Sequence, residues 1–245
     1  TCYLCPGNVR ANGETNPVYE SSFVFENDFA AMKQEEIIFE DDIKHTFFKV
    51  KPEQGISRVV CFSPRHDLTL PEMEIPAIEN IIKTWQKEYT DLGNIKYINH
   101  VQIFENKGSV MGCSNPHPHG QIWAQSSLPT QVEKTHNSLK SYYDKNRKTL
   151  LEDYVQAELR TGERIVIEND HFVALVPFWA IWPYETMIVS KRAANKITDF
   201  SAEESTAFAK ILKQLTTKYD NLFNTSFPYS SGIHQAPTDG EAHLE

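Results

Sequence analysis

Residues 111–124 read Met111-Gly-Cys-Ser-Asn-Pro-His-Pro-His-Gly-Gln-Ile-Trp-Ala124, a stretch in which one proline separates two histidines. Residues at positions i and i+2 of an extended strand lie on the same face, and proline fixes φ and disfavours a helix. The stretch therefore predicts a strand that holds both imidazoles stiffly on one face. A polar turn between two strands is the alternative interpretation, and the length of the motif weighs against it.

The residues around these histidines are small or neutral and polar, as a phosphate site requires. Gly112 and Gly120 allow the backbone to approach a bulky ligand closely. Ser114, Asn115 and Gln121 supply neutral hydrogen-bond donors for phosphate oxygens. We therefore expect a site that handles phosphate groups.

Four potential metal ligands lie in or before the motif. Cys2 and Cys5 form a C-x-x-C pair, and His66 lies in a predicted turn that follows a strand. Together with His117 they supply two thiolates and two imidazoles, which match a closed tetrahedral zinc site with a structural role. For the C-x-x-C pair alone, a redox pair or a coincidence is the alternative.

This assignment leaves His119 free for chemistry. Attack of its imidazole on a phosphoanhydride would give a phosphoramidate, which can pass the group on to a second acceptor. Action as a general base on water would instead make a hydrolase, and metal ligation is a third role. Gln121 could donate to a phosphoryl oxygen as charge builds up in the transition state.

Composition and charge narrow the class of protein. The 245-residue chain is 40% hydrophobic and 23% charged, which predicts a soluble globular protein without a membrane span. Its net charge of −9 argues against nucleic acid as a partner, because phosphate backbones are bound through clustered lysines and arginines. With no signal peptide and no disulfide framework, we expect a cytoplasmic protein. Because the chain opens at Thr1 and stops at Glu245, we expect it to be truncated at both ends.

The two halves of the chain repeat a pattern of strand, strand, helix and strand. The segment 166–170 echoes 25–28, and 186–192 echoes 58–65, in the same order. A helix is predicted from residue 71, and the capping box Ser201-Ala-Glu-Glu204 predicts its counterpart. We expect an N-terminal half at residues 1–130, a helical surface connector at 131–160 and an incomplete C-terminal half at 161–245. His136 in the connector is interpreted as a solvated residue.

These features resemble the galactose-1-phosphate uridylyltransferase family, which belongs to the histidine-triad superfamily. The resemblance implies an α+β fold of duplicated histidine-triad-like units, in which an antiparallel half-barrel sheet packs against helices. The matching blocks span nearly the whole chain and include Gly112-Cys-Ser-Asn-Pro-His-Pro-His-Gly-Gln-Ile-Trp123, Cys2-Tyr-Leu-Cys5, Phe104-Glu-Asn-Lys-Gly108, Tyr219-Asp-Asn-Leu-Phe223 and Ser226-Phe-Pro-Tyr-Ser230.

The resemblance also implies an activity in galactose metabolism. UMP would pass from UDP-glucose to galactose 1-phosphate through a covalent uridylyl-histidine, giving UDP-galactose and glucose 1-phosphate in a ping-pong reaction. A homodimer with shared active sites is implied as well. The alternatives are a related nucleotidyl hydrolase, a dinucleotide phosphorylase and a non-catalytic nucleotide-binding protein.

The resemblance assigns these roles to residues by position. His119 is the nucleophile, Gln121 contacts the phosphoryl group, and Asn27 and Asp28 contact the uridine and ribose. The zinc ligands are Cys2, Cys5, His66 and His117, and the phosphate side is lined by Asn106, Gly112, Cys113 and Ser114.

The family has a second metal site for iron or zinc, built from one glutamate and three histidines. His234 matches the first of these histidines, whereas Thr135 stands where the glutamate is expected and Glu133 is the nearest carboxylate. The remaining pair of histidines would follow Glu245. We therefore expect only His234 of this second site within the chain.

Overall fold

The computed structural model describes residues 2–36, 47–48 and 50–243 of the chain. Its α helices and β strands follow one another along these residues in the order β1 (Phe23–Glu26), β2 (Gly55–Cys61), α1 (Ile75–Gly93), β3 (His100–Lys107), β4 (His119–Gln125), α2 (Thr130–Asn146), α3 (Leu150–Thr161), β5 (Ile165–Glu168), β6 (Phe172–Leu175), β7 (Met187–Ser190), α4 (Ala202–Phe223) and β8 (Tyr229–Ile233).

The strands form two antiparallel sheets. The first has the order β1-β2-β4-β3-β8, and the second has the order β5-β6-β7. Strand β8 comes from the C-terminal half of the chain but pairs with β3, so it completes the sheet that carries the histidine motif. The α+β class with antiparallel sheets and packed helices is confirmed.

Helix α1 covers the first sheet because its apolar residues recur at helical spacing. Ile78, Ile82 and Trp85 are buried against Val60 and Ile122 from the two central strands. Burying side chains of this size stabilises the fold by roughly 1.5–3 kcal/mol each. The helix therefore covers the apolar face of the first sheet.

Helix α4 joins the two sheets into one body. Ile211 and Leu215 pack on Phe172 of the second sheet, whereas Phe208 and Leu212 pack against the core of the first. The helix begins where the sequence predicts, because the Ser201 hydroxyl accepts a hydrogen bond from the Glu204 N–H at 3.1 Å. This capping box is confirmed.

Helices α2 and α3 fill the stretch predicted to be a helical connector, and they bury few side chains. The prediction of a solvated His136 is wrong. Its Nδ1 lies 3.0 Å from Nδ1 of His243, whose Nε2 lies 2.6 Å from a carboxylate oxygen of Asp239. The interpretation failed because the partner histidine lies 107 residues away in sequence. None of the helices within residues 2–36, 47–48 and 50–243 has both the length and the apolar character needed to cross a bilayer.

Candidate active site and metal centre

The two histidines of the motif lie in different local structures. His119 begins β4, where it pairs with Cys61 of β2. His117 lies in a bend before the strand, because the Asn115 side chain accepts its backbone N–H at 2.9 Å in an Asx turn. The first expectation, that both imidazoles share one strand face, is therefore wrong, whereas the assignment of His117 to the metal ligands and His119 to the phosphate site is compatible with these different positions.

The imidazole of His117 lies with the three other predicted zinc ligands. The ligand atoms of Cys2, Cys5, His66 and His117 all lie within 4.8 Å of one another. Sγ of Cys5 is 3.7 Å from Nδ1 of His66 and 3.6 Å from Nδ1 of His117. In a tetrahedral zinc site, bond lengths of about 2.3 Å to sulfur and 2.0–2.1 Å to nitrogen separate these atoms by about 3.5 Å. The cluster therefore has the donor set and the spacing to bind a metal ion.

The second ring nitrogen of His117 forms a hydrogen bond to a backbone carbonyl, as is typical of a metal-ligating histidine. Its Nε2 lies 2.8 Å from the carbonyl oxygen of Ser63, which can only accept a hydrogen bond. This contact makes Nε2 the protonated nitrogen and leaves the Nδ1 lone pair for the cluster. Burial lowers the pKa of His117 to about 4, so the ring is in the neutral form that metal binding needs.

On the other side of the motif, a pocket brings together six of the residues assigned by sequence. His119 and Gln121 come from β4 and Asn106 from β3, so strand pairing fixes their separation. The remaining three lie on the loop between these strands, which needs glycine at position 112 because φ is +82° there. The pocket is lined by Asn106, Gly112, Cys113, Ser114, His119, Gly120 and Gln121.

The protonation of His119 is set by one backbone contact. Its Nδ1 lies 2.6 Å from the carbonyl oxygen of His117, so Nδ1 carries the proton and Nε2 keeps its lone pair. Burial lowers the pKa of His119, which favours the neutral ring. A neutral imidazole with a free Nε2 in a pocket of neutral donors can attack a phosphorus atom.

The residues assigned to the uridine and ribose do not line this pocket. Asn27 accepts a hydrogen bond from the Phe29 N–H at 2.9 Å in the turn after β1. The Asp28 side chain is 4% exposed and lies 3.5 Å from the Arg10 guanidinium. Sequence reasoning assigned no role to Arg10, although a buried arginine beside a buried carboxylate restrains the position of that carboxylate.

The residue assigned to the second metal site lies apart from the metal centre. His234 follows β8 and is exposed. Among the residues that the structure describes, the one group of three or more potential ligands is the Cys2, Cys5, His66 and His117 cluster. The structure therefore does not bring His234 together with a set of metal ligands.

The fold and the site together define the class of protein. A neutral histidine at the start of a strand, in a small pocket lined by polar residues on an antiparallel α+β sheet, is consistent with a histidine-triad nucleotidyltransferase. The chain belongs to the galactose-1-phosphate uridylyltransferase family. The family models for the N-terminal and C-terminal domains match residues 1–129 and 134–245.

Curated relatives and solved structures agree with this membership. The galactose-1-phosphate uridylyltransferase of Haemophilus influenzae is 52% identical over 98% of this chain and 68% of its own length. That of Saccharomyces cerevisiae is 47% identical over 96% of this chain and 68% of its own length. A solved uridylyltransferase superposes with a TM-score of 0.86 at 28% identity, covering 97% of this chain and 74% of that one. An Arabidopsis thaliana ADP-glucose phosphorylase, at 23% identity and a TM-score of 0.78 over 97% of this chain and 72% of that one, shares the fold.

Proposed function

We propose that this protein transfers UMP from UDP-glucose to galactose 1-phosphate through a covalent uridylyl intermediate on His119. The observation that carries the proposal is the free Nε2 of a neutral His119 in the pocket formed by β3, β4 and the loop between them. The names of the similar proteins support the choice of UDP-sugars and hexose 1-phosphates as substrates.

The reaction proceeds in two displacements at one phosphorus atom. In the first, Nε2 of His119 attacks the α-phosphorus of UDP-glucose, and the bond to the β-phosphate oxygen breaks. Glucose 1-phosphate leaves with that electron pair. In the second, a phosphate oxygen of galactose 1-phosphate attacks the same phosphorus, and the N–P bond breaks to release UDP-galactose and neutral His119.

Neutral donors in the pocket stabilise the charge that develops on the phosphoryl oxygens. Gln121 lies two residues after His119 on the same strand, so both side chains project from one face. Its amide donates without protonating the imidazole. Asn106, Gly112, Cys113 and Ser114 hold the two phosphates, and Asn27 and Asp28 receive the uridine and ribose in this proposal.

Zinc is the metal proposed for the Cys2, Cys5, His66 and His117 cluster. When bound, it supplies a structural crosslink with no open position for substrate. The crosslink would join the N-terminal C-x-x-C turn to the turn after β2 and to the bend before β4. His117 is thereby held, and its carbonyl holds the Nδ1 proton of His119.

We also propose that the enzyme acts as a homodimer with shared active sites in the cytoplasm. Exposed aromatic side chains between β6 and β7 support an interface, because Phe178 and Trp182 are 76% and 73% exposed. Cys2, Cys5, Cys61 and Cys113 form no disulfide bonds with one another, which supports a reducing compartment.

The test is to trap the intermediate with UDP-glucose labelled in the uridine. Acid-labile label is expected on the unmodified protein, and His119→Ala is expected to abolish it. His171→Ala is the matched control, because this partly exposed histidine contacts Glu203 outside the pocket. Label that persists in His119→Ala removes His119 as the nucleophile.

The same assay separates the alternatives. Release of UMP without a sugar phosphate would indicate a hydrolase, and cleavage that depends on inorganic phosphate would indicate a phosphorylase. Binding of UDP-glucose without exchange of glucose 1-phosphate into it would indicate a non-catalytic binding protein.

A further inference from the structure

The strand β8 brings one serine from the C-terminal half next to the pocket. In the β3–β8 ladder, Asn106 is directly opposite Ser230. Directly opposed residues of an antiparallel pair project from the same face. That face is the pocket face, because Phe104, two residues before Asn106, is opposite Gln121 of β4.

The two opposed side chains are joined by a short hydrogen bond. Oγ of Ser230 lies 2.6 Å from Oδ1 of Asn106. An amide oxygen has no proton, so the serine hydroxyl donates. The bond engages the amide oxygen of Asn106, whose side chain lines the pocket, and leaves its amide nitrogen as a potential donor.

The orientation of Asn106 matters for an anionic ligand. With Nδ2 toward the pocket, the side chain donates to a phosphate oxygen; rotated by half a turn, it would present a partial negative charge to that oxygen. We propose that Ser230 is a positioning residue: its hydroxyl donates to Oδ1 and so holds the Asn106 side chain at the edge of the pocket, with the amide nitrogen available to the substrate phosphates. This inference rests on the proposed function, and it makes the C-terminal half a contributor to the site in the N-terminal half.

The rest of β8 is anchored well enough to act as a fixed support. On the opposite face, the Tyr229 hydroxyl lies 2.9 Å from a buried carboxylate oxygen of Glu105. The ammonium group of Lys107 lies 5.5 Å from the centre of the Tyr229 ring and 3.5 Å from a carboxylate oxygen of Asp220. These contacts fix the register that places Ser230 opposite Asn106.

The test is a double-mutant cycle between Ser230→Ala and Asn106→Ala. We expect Ser230→Ala to weaken UDP binding about fivefold, the effect of one hydrogen bond, and to slow the first uridylylation step by at least that factor. In the Asn106→Ala background, Ser230→Ala should have no further effect. Ser230→Thr should restore the hydroxyl and the activity, and Ser231→Ala is the matched control because this exposed neighbour projects from the other face.

Two results would overturn the inference. One is an unchanged UDP affinity and uridylylation rate in Ser230→Ala. The other is an equal loss in both backgrounds, which would mean that Ser230 acts independently of Asn106. If the unmodified enzyme forms no uridylyl-histidine, the proposed function fails, but the cycle of UDP affinities, measured by calorimetry, still decides the role of Ser230.

Discussion

Glu105 is a buried acid directly behind the proposed phosphate site. Its side chain lies on the core face of β3, and the Tyr229 hydroxyl donates to it at 2.9 Å. Burial raises the pKa of Glu105 to about 7, even though this hydrogen bond and the charge of Lys107 act in the opposite direction. The carboxyl group is therefore largely protonated just below neutral pH and begins to ionise inside the fold above it.

This pKa makes the free energy of unfolding depend on pH in a defined window. Between pH 4.5 and about 7 the folded chain holds a proton that the unfolded chain has released, so stability from this group falls as the pH rises. Glu105→Gln keeps an acceptor for Tyr229 and removes the titration. We expect the variant to unfold like the parent near pH 4.5 and to be more stable at pH 8, by up to about 3 kcal/mol.

Urea unfolding of both proteins across this pH range measures the difference. Glu20→Gln is the control for the loss of one carboxylate, because Glu20 is exposed on the surface. A Glu105→Gln variant that runs parallel to the parent from pH 4.5 to 8 would show that Glu105 does not titrate in this window.

At the scale of single residues, the sequence predicts which side chains form the site better than it predicts where they point. The membership of the pocket and of the metal cluster follows from residue types and from the family pattern. The directions of His117 and His119 depend on the Asx turn at Asn115 and on the Ser63 carbonyl, 54 residues away from His117. The Asn115-Pro116 pair is typical of a turn, and the strand prediction did not take it into account.

At the scale of elements, the loop between β3 and β4 depends on Gly108 as well as on Gly112. Gly108 has φ +90° and ψ 147°, a conformation that is almost confined to glycine. A Cβ atom at this position would lie 2.8 Å from Cβ of Pro228, just before β8. The loop that carries Gly112, Cys113 and Ser114 is therefore packed directly against the C-terminal half.

We expect Gly108→Ala to destabilise the protein by roughly 1–3 kcal/mol and to slow uridylylation, because the loop must move to relieve the clash. Gly13→Ala is the control: its φ is +89°, and no atom lies within 4 Å of the added Cβ. Gly13→Ala should lower the stability of the protein through backbone strain and leave the rate of uridylylation unchanged. Thermal unfolding and single-turnover labelling of both variants make the comparison, and equal transfer rates would contradict this role of the loop.

The elements themselves could be predicted from sequence more fully than their pairing. The helix at Ser201 is marked by its capping box, which depends on neighbours only a few residues apart. The pairing of β8 with β3 joins residues more than a hundred positions apart, and no local pattern encodes it. The contact between His136 and His243 was missed for the same reason.

At the scale of the whole molecule, the N-terminal and C-terminal halves are joined by extensive packing and by a shared sheet. Helix α4 packs on both sheets, and β8 completes the sheet of the other half. We propose that residues 1–130 and 161–245 are the two copies of a duplicated unit and that residues 131–160 connect them. A fragment ending at residue 130 would lack β8, and with it Ser230 and the support for the β3–β4 loop.

A metal ion bound by the Cys2, Cys5, His66 and His117 cluster would be a further long-range crosslink, since it would join residues 2–5, 66 and 117. Binding to the folded chain alone stabilises it by mass action, about 4 kcal/mol when the free metal is a thousand times its dissociation constant. We therefore expect a chelator such as phenanthroline to lower the melting temperature and the uridylylation rate together. Zinc should restore both, and metal analysis should find one equivalent bound per chain.

Cys5→Ser separates loss of the metal from other effects of the chelator. This variant should lose the bound equivalent and melt at the temperature of the chelated parent, with no further change on chelation. Cys113→Ser is the matched control, because this cysteine lies in the pocket outside the cluster and should keep both the metal and the melting temperature. A Cys5→Ser variant that retains one equivalent of zinc would contradict the assignment of the cluster, whereas iron in place of zinc would change the metal and leave the crosslink intact.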